Sequence, residues 1–164
     1  MPALTEIANS VGEQLKATNA TISVAESSTA GLISAALLSI PGASAYYRAG
    51  SVVYTLEARK QLLGITRADV EGLEPLTEAM VLKFAEVARA QFDCTWSIAE
   101  LGVAGPTGAR YGHAPGLSVI AVDGPKPLTA TINTGNADRE DNMWAFTQAA
   151  FDLLDQAMQL HHET

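Results

Sequence analysis

The segment Ala30-Gly31-Leu32-Ile33-Ser34-Ala35-Ala36-Leu37-Leu38-Ser39 carries no charge on any side of a helical wheel. A helix that is nearly apolar all round must be covered on several sides. The chain therefore needs a layered fold in which other elements pack over this one. A short β-branched run at 21–25, the pattern of a strand, precedes it, and Pro41-Gly42 ends it.

Around this unit the periodicities alternate. Residues 3–17 repeat Leu4, Ile7, Ala8, Val11 and Leu15 at helical spacing until Asn19 breaks the pattern. Residues 49–54 read as a second strand, and 57–63 as a short helix with Gly64 as its C-cap. Pro75 marks the first turn of a longer helix that ends near Phe92. Residues 95–103 read as a third strand. Residues 117–122 and 128–133 read as two more, joined across Asp123-Gly124-Pro125-Lys126-Pro127, which is too long for a two-residue hairpin turn. A last helix spans 138–161, with Phe146, Ala150, Leu153, Ala157 and Leu160 as its apolar stripe. Crossovers combined with one hairpin predict an α/β fold, a three-layer α/β/α sandwich around a mixed central sheet. With no repeat or linker, residues 1–164 read as a single domain.

Composition narrows the function classes. A formal net charge of −8 argues against a nucleic-acid-binding surface. It leaves room for a small phosphorylated ligand, which a few cations and helix N-termini suffice to bind. No apolar run reaches membrane-spanning length, and the N-terminus lacks the basic-then-apolar order of a secretory signal. The single cysteine, Cys94, rules out an internal disulfide and fits a reducing compartment. A cytoplasmic location without a membrane or nucleic-acid partner is the expectation. Cys94 itself reads as a small buried residue in a strand.

Three stretches have the make-up of a site. Glu26-Ser27-Ser28-Thr29 falls at the turn between the first strand and the apolar helix, beside amides that no helical carbonyl can satisfy. Such a turn holds an anion, displays a serine nucleophile with its amides as oxyanion donors, or merely caps the helix. Local sequence favours the cap. Gly102-Val103-Ala104-Gly105-Pro106-Thr107-Gly108 is neither a Walker loop nor a dinucleotide fingerprint. It is equally a structural turn or a cradle for phosphate or carboxylate. Val52-Val53-Tyr54-Thr55 with Arg59 and Lys60 puts a tyrosine at a strand end, one turn from a cation. That arrangement orients a substrate or an oxyanion, or is an ordinary charged helix face. His113, in the loop Arg110-Tyr111-Gly112-His113, reads as solvated, and His161 and His162 lie at the C-terminus. No spacing suits a metal. Asp138, Arg139, Glu140 and Asp141 form the charged first turn of the last helix, from which Arg139 can alternatively reach an anion.

Taken together, these segments resemble the CinA C-terminal domain family, whose active members are nicotinamide-nucleotide amidases. The matching blocks are Val24-Ala25-Glu26-Ser27-Ser28-Thr29-Ala30-Gly31-Leu32, Ile40-Pro41-Gly42-Ala43-Ser44-Ala45, Val52-Val53-Tyr54-Thr55, Gly64-Ile65 and the glycine-rich loop. Their order and spacing cover essentially the whole chain. The resemblance implies an α/β/α sandwich that self-associates into a homo-oligomer. It also implies hydrolysis of nicotinamide mononucleotide to nicotinic acid mononucleotide and ammonia, with no metal and no cofactor. It puts the nucleophile at Ser27 and a proton shuttle or oxyanion donor at Tyr54. Arg59 becomes electrostatic support, and Lys60 or a bound water the base. Contacts to the pyridine nucleotide fall on Glu26, Ser28, Thr29, Gly31, Gly105, Pro106, Thr107, Gly108 and Arg139.

The chain also departs from the family pattern. After the tyrosine that pattern runs Ser-Asn-x-Ala-Lys, and its lysine assists the serine. Here the run is Thr55-Leu56-Glu57-Ala58-Arg59. Arginine stays protonated at physiological pH and cannot act as a general base. Lys60, one helical residue on, points about 100° away. Ala30-Gly31 stands for Gly-Gly, and Leu73-Glu74-Pro75 stands for Ser-Glu-Pro, losing a capping serine. Met143 takes the place of a second arginine in the last helix. A chain starting at Met1 without the preceding domain of longer members reads as a stand-alone version. The alternatives to an active nicotinamide-nucleotide amidase are a catalytically silent nucleotide-binding or sensor protein and an amidohydrolase of changed substrate, since the second arginine and the asparagine are missing.

Overall fold

The computed structural model describes residues 1–110 and 112–164. Strand β1 (Ile22–Glu26) lies between β2 (Tyr47–Val52) and β3 (Trp96–Gly102) and runs parallel to both. Strands β4 (Leu117–Asp123) and β5 (Leu128–Asn133) extend the sheet antiparallel, in the spatial order β2-β1-β3-β4-β5. Parallel neighbours need crossovers and antiparallel ones need only a hairpin, so the mixed sheet follows from the order of elements along the chain.

Side-chain alternation in the strands feeds two cores. On one face Val24, Ile98, Ile120 and Val122 pack against α1 (Leu4–Thr18), α2 (Leu32–Leu38) and α5 (Arg139–His162), through Val11, Leu15, Ile33, Leu37, Phe151 and Leu154. On the other face Ala25, Ala99, Leu101, Val119 and Ala121 meet α4 (Glu78–Gln91), with α3 (Leu56–Leu63) alongside, through Leu63, Val81, Phe84 and Ala85. The result is the three-layer α/β/α sandwich that the element order predicts. β1 is buried along its whole length and β3 up to Leu101, as strands covered on both faces must be.

Several local expectations hold in detail. Asn19 (φ 52°) and Gly64 (φ 68°) close α1 and α3 in the left-handed conformation. Others are corrected. Asp138, expected within the first turn of α5, is instead its N-cap, accepting from the Asp141 N–H. Pro75 stands in the turn before α4 rather than in its first helical turn. Thr77 caps α4, accepting from the Met80 N–H at 3.3 Å and donating to the Glu74 carbonyl at 2.8 Å. A threonine thus caps the helix that was expected to lack a capping serine. The all-round burial expected of the apolar helix is partial: Ile33, Ala36 and Leu37 are buried, but Leu38 is 53% exposed. Cys94 is buried in the turn leading into β3, not within the strand. Among the described residues no helix is long and apolar enough to cross a membrane, and no cluster of His, Cys, Asp or Glu is arranged to hold a metal.

Candidate active site

The end of β1 sets the site. Ala25 pairs with Ala99 in the parallel register, so Glu26 and Glu100 stand side by side just past the last paired row. Alternation turns both away from α4, onto the face where Val24 and Ile98 meet α2 and α5. Both are fully buried. Buried carboxylates must find hydrogen-bond donors, and these two take theirs from the turn that follows β1.

Glu26 caps the helix ahead of it. One of its oxygens accepts from the Ser34 N–H at 3.0 Å. The other accepts from the Ile33 N–H at 3.1 Å and the Thr29 hydroxyl at 2.6 Å. Glu100 reaches across from β3. Its Oε2 accepts from the Ser27 and Thr29 amides, each at 3.1 Å, and lies 3.2 Å from the Thr29 hydroxyl. Its Oε1 meets only hydroxyls, those of Ser28 and, at 3.1 Å, Ser118. Burial pushes the Glu100 carboxyl above the ordinary glutamate range; the turn's hydrogen bonds pull the other way, and the charge of Glu26 adds to the rise. Gly102 leaves room for this cluster, since a Cβ there would come within 2.5 Å of Ser28 Oγ and 2.7 Å of Glu100 Oε1.

This bonding separates the three hydroxyls. Ser28 is tied to Glu100, and Thr29 to Glu26. Ser27 Oγ bonds to no described residue, yet it is not sealed off, because Ser27 lines a cavity of about 1210 Å³. The amides divide as well. Those of Ser27 and Thr29 are taken by Glu100, so they are not oxyanion donors as expected. Among the described residues none accepts the Ser28 N–H or the Gly31 N–H, which leaves these two as the turn's available donors.

The cavity lies on the α3–α4 side of the sheet. Ile65, Val70, Leu76, Met80, Phe84 and Leu101 supply apolar walls, and Tyr54, Thr55, Gly102 and Val103 line it near Ser27. Arg59, Lys60, Arg67 and Arg110 line it too, and among the described residues no carboxylate does. Four of the chain's ten lysines and arginines thus converge on one cavity of an acidic protein. That is a setting for an anionic ligand with an apolar part. The Arg59 guanidinium lies 5.2 Å above the Phe84 ring, and its Nε donates to the Val53 carbonyl at 3.3 Å. Lys60 is exposed at the rim of the cavity it lines and makes no hydrogen bond to Ser27.

Ser27, Tyr54, Arg59 and Lys60 therefore share one cavity, whereas Glu26, Ser28, Thr29, Gly31, Gly105, Pro106, Thr107, Gly108 and Arg139 do not line it. Glu26, Ser28 and Thr29 bond to the protein interior. Gly31 (φ 102°) is the left-handed residue at the start of α2. Gly105 (φ 105°) is required for packing, because a Cβ would approach the Ala137 carbonyl oxygen to 2.6 Å. Arg139 donates to the Gly105 carbonyl and, at 3.2 Å, to the Tyr54 hydroxyl, so it ties the glycine-rich loop to the tyrosine. It also borders a smaller cleft of about 300 Å³ with Leu32, Met143 and Trp144. Tyr111, in the polar loop with Arg110, lies outside the described residues. Glu100, Arg67 and Arg110 were not among the expected site residues. Glu100 had a visible signal: a lone acidic residue inside an otherwise uncharged strand pattern.

Comparison with known proteins places this geometry. The profile of the CinA C-terminal domain matches residues 4–158. A CinA-like protein of Fervidobacterium nodosum is 34% identical over 149 residues, covering 91% of this chain and 36% of its own. The chain thus spans about a third of the length of that relative. The crystal structure of the competence/damage inducible protein CihA from Agrobacterium tumefaciens superposes with a TM-score of 0.86 at 26% identity, covering 97% of this chain and 98% of the other. A CinA superfamily protein from Klebsiella pneumoniae shares the fold, with a TM-score of 0.88 at 23% identity over 96% of this chain and 99% of its own. With its whole sheet and the Ser27 turn inside the matched span, the chain belongs to the CinA C-terminal domain family.

Proposed function

We propose that the chain is a nicotinamide-nucleotide amidase that hydrolyses nicotinamide mononucleotide to nicotinic acid mononucleotide and ammonia. One observation carries the reading: the one hydroxyl of the turn without a protein partner opens onto the one described cavity where four cations gather. The cations suit the nucleotide's phosphate, and the apolar walls suit its ring. In this reading Ser27 Oγ attacks the carboxamide carbon while its proton passes to Lys60 or to a water. Tyr54, oriented by Arg139, donates to the oxyanion. The amide nitrogen takes up a proton and leaves as ammonia. Water then hydrolyses the acyl-enzyme and returns the serine. Arg59, being always charged, offsets developing negative charge and does not act as the base. The reading includes a cytoplasmic setting and self-association, the latter measurable by light scattering.

A second reading is favoured by a specific observation. Arg59 occupies the place of the family lysine, and no base is hydrogen-bonded to Ser27 Oγ among the described residues. On this reading the cavity binds the nucleotide without turnover. The purified protein is incubated with nicotinamide mononucleotide, and ammonia and the deamidated nucleotide are measured. Turnover that Ser27→Ala lowers about 10³-fold or more supports the amidase. Turnover that survives Ser27→Ala removes the nucleophile. Binding without turnover establishes the silent relative. A loss in Lys60→Ala identifies the base.

A further inference from the structure

The buried carboxyl of Glu100 has no place in the amidase mechanism, yet it touches more of the Ser27 turn than any other side chain described above. Its contacts are divided by chemistry. Oε2 faces two backbone amides, which can only donate, and lies 3.2 Å from the Thr29 hydroxyl, whose shorter bond goes to Glu26. Oε1 faces two hydroxyls, Ser28 and Ser118, which can donate or accept. The strand register brings Glu100 to the row just past Ala99, where β1 stops and the turn begins. The carboxyl therefore acts at the point where the chain changes direction.

We propose that Glu100 is the positioning residue of Ser27: by accepting the amides of Ser27 and Thr29 and engaging the Ser28 hydroxyl, it holds the turn so that the Ser27 hydroxyl is the one offered to the cavity. The proposal rests on the reading of Ser27 as a nucleophile. Without Glu100, the two amides lose their acceptor and the Ser28 hydroxyl is released to compete for the same position. The burial that raises the Glu100 carboxyl favours a proton on Oε1, where a hydroxyl oxygen can accept it. Glutamine reproduces that form: its carbonyl accepts both amides, and its NH2 group donates to Ser28 and Ser118. Glu100 lines no part of the cavity, so its removal leaves the ligand's walls in place.

Two readouts separate this proposal from the amidase reading: steady-state hydrolysis of nicotinamide mononucleotide, and the rate at which phenylmethanesulfonyl fluoride modifies Ser27, followed by intact mass and peptide mapping. In Glu100→Ala, kcat and the modification rate should fall at least about 30-fold, with KM within about threefold of the parent. Glu100→Gln should restore both to within about threefold of the parent. A merely structural glutamate would lower thermal stability and leave both rates unchanged well below the melting temperature, and that result would overturn the proposal. Failure of glutamine to rescue a folded variant would also overturn it. Where the alanine variant does not fold, Glu100→Asp, which withdraws the carboxyl by one methylene, is measured instead against the same expectations. A parent that is modified at Ser27 but does not hydrolyse the nucleotide sinks the amidase reading alone, and the modification rates of the variants still decide the role of Glu100. A parent that is not modified at Ser27 overturns the proposal, because there is then no activated serine to position.

Discussion

The two halves of the cavity are built in opposite ways. The β1–α2 turn is held from within: two buried glutamates accept four backbone amides, those of Ser27, Thr29, Ile33 and Ser34, together with the hydroxyls of Ser28 and Thr29, and Ser27 is only 4% exposed. The β2–α3 segment is held from outside. Tyr54 is 55% exposed and Leu56 73% exposed, and the α3 cap is a single bond from the Ala58 N–H to Thr55 Oγ1. Buried polar networks fix one geometry because an unmade bond costs the full desolvation of the group. A solvated helix end carries no such penalty. Within these two segments, the departures from the family pattern that change a polar or charged side chain, Leu56 and Arg59, fall on the solvated half, whereas the interior half departs only at Ala30, which replaces a glycine. A site thus tolerates change where water can substitute for a lost partner.

The sharpest way to break this contrast is to treat the two glutamates alike. In Glu26 both oxygens accept backbone N–H groups, so either orientation of a glutamine sets an NH2 against an N–H. Glu26→Gln should lose about 2 kcal/mol in urea denaturation, whereas Glu100→Gln should lose little. Equal losses would mean that the separation of amides from hydroxyls at Glu100 has no energetic weight. The next effect is on the solvated half. Arg59→Lys puts back the residue type that can accept a proton, and turnover of nicotinamide mononucleotide should rise about tenfold with little change in stability. An unchanged rate would point to Lys60 or a water as the working base. The smallest effect is one of pH. Burial first, and then the charge of Glu26, hold the Glu100 carboxyl above the ordinary value of 4.5 despite the bonds from Ser28, Thr29 and Ser27. The folded chain keeps a proton that the unfolded chain gives up at lower pH. This group's contribution to stability therefore falls as pH rises from 4.5 towards its folded value. Melting curves of Glu100→Gln should lack that decline, so its stability relative to the parent should rise across this interval. A constant difference would show that Glu100 does not titrate in the fold.

Much of the fold was legible because its signals are local. The apolar helix, the hairpin and the caps at Asn19 and Gly64 each follow from a few neighbouring residues and a single conformational preference. The start of α4 was misplaced because proline suits both a first helical turn and the turn before it, and only the Thr77 hydrogen bonds decide between them. In the site, the sequence brought Ser27 forward only through its resemblance to a family; its neighbours alone favoured a helix cap. Glu100 showed in the sequence only as a lone acidic residue in an uncharged strand; its hold on the Ser27 turn was not legible. It depends on Ala25 meeting Ala99 across the sheet, a pairing between residues 74 apart that no local window contains. The same holds for Arg67 and Arg110, which reach the cavity from different loops.

The gathering of Arg59, Lys60, Arg67 and Arg110 in a chain of net charge −8 bears on how a ligand arrives. An anion in bulk solvent meets a repelling molecule. Attraction begins only within about one Debye length of the cavity, roughly 8 Å at physiological salt. Basic proteins steer anions over longer distances and gain in association rate. On the proposed function, encounter is left to diffusion, and discrimination between anions rests on how long each stays.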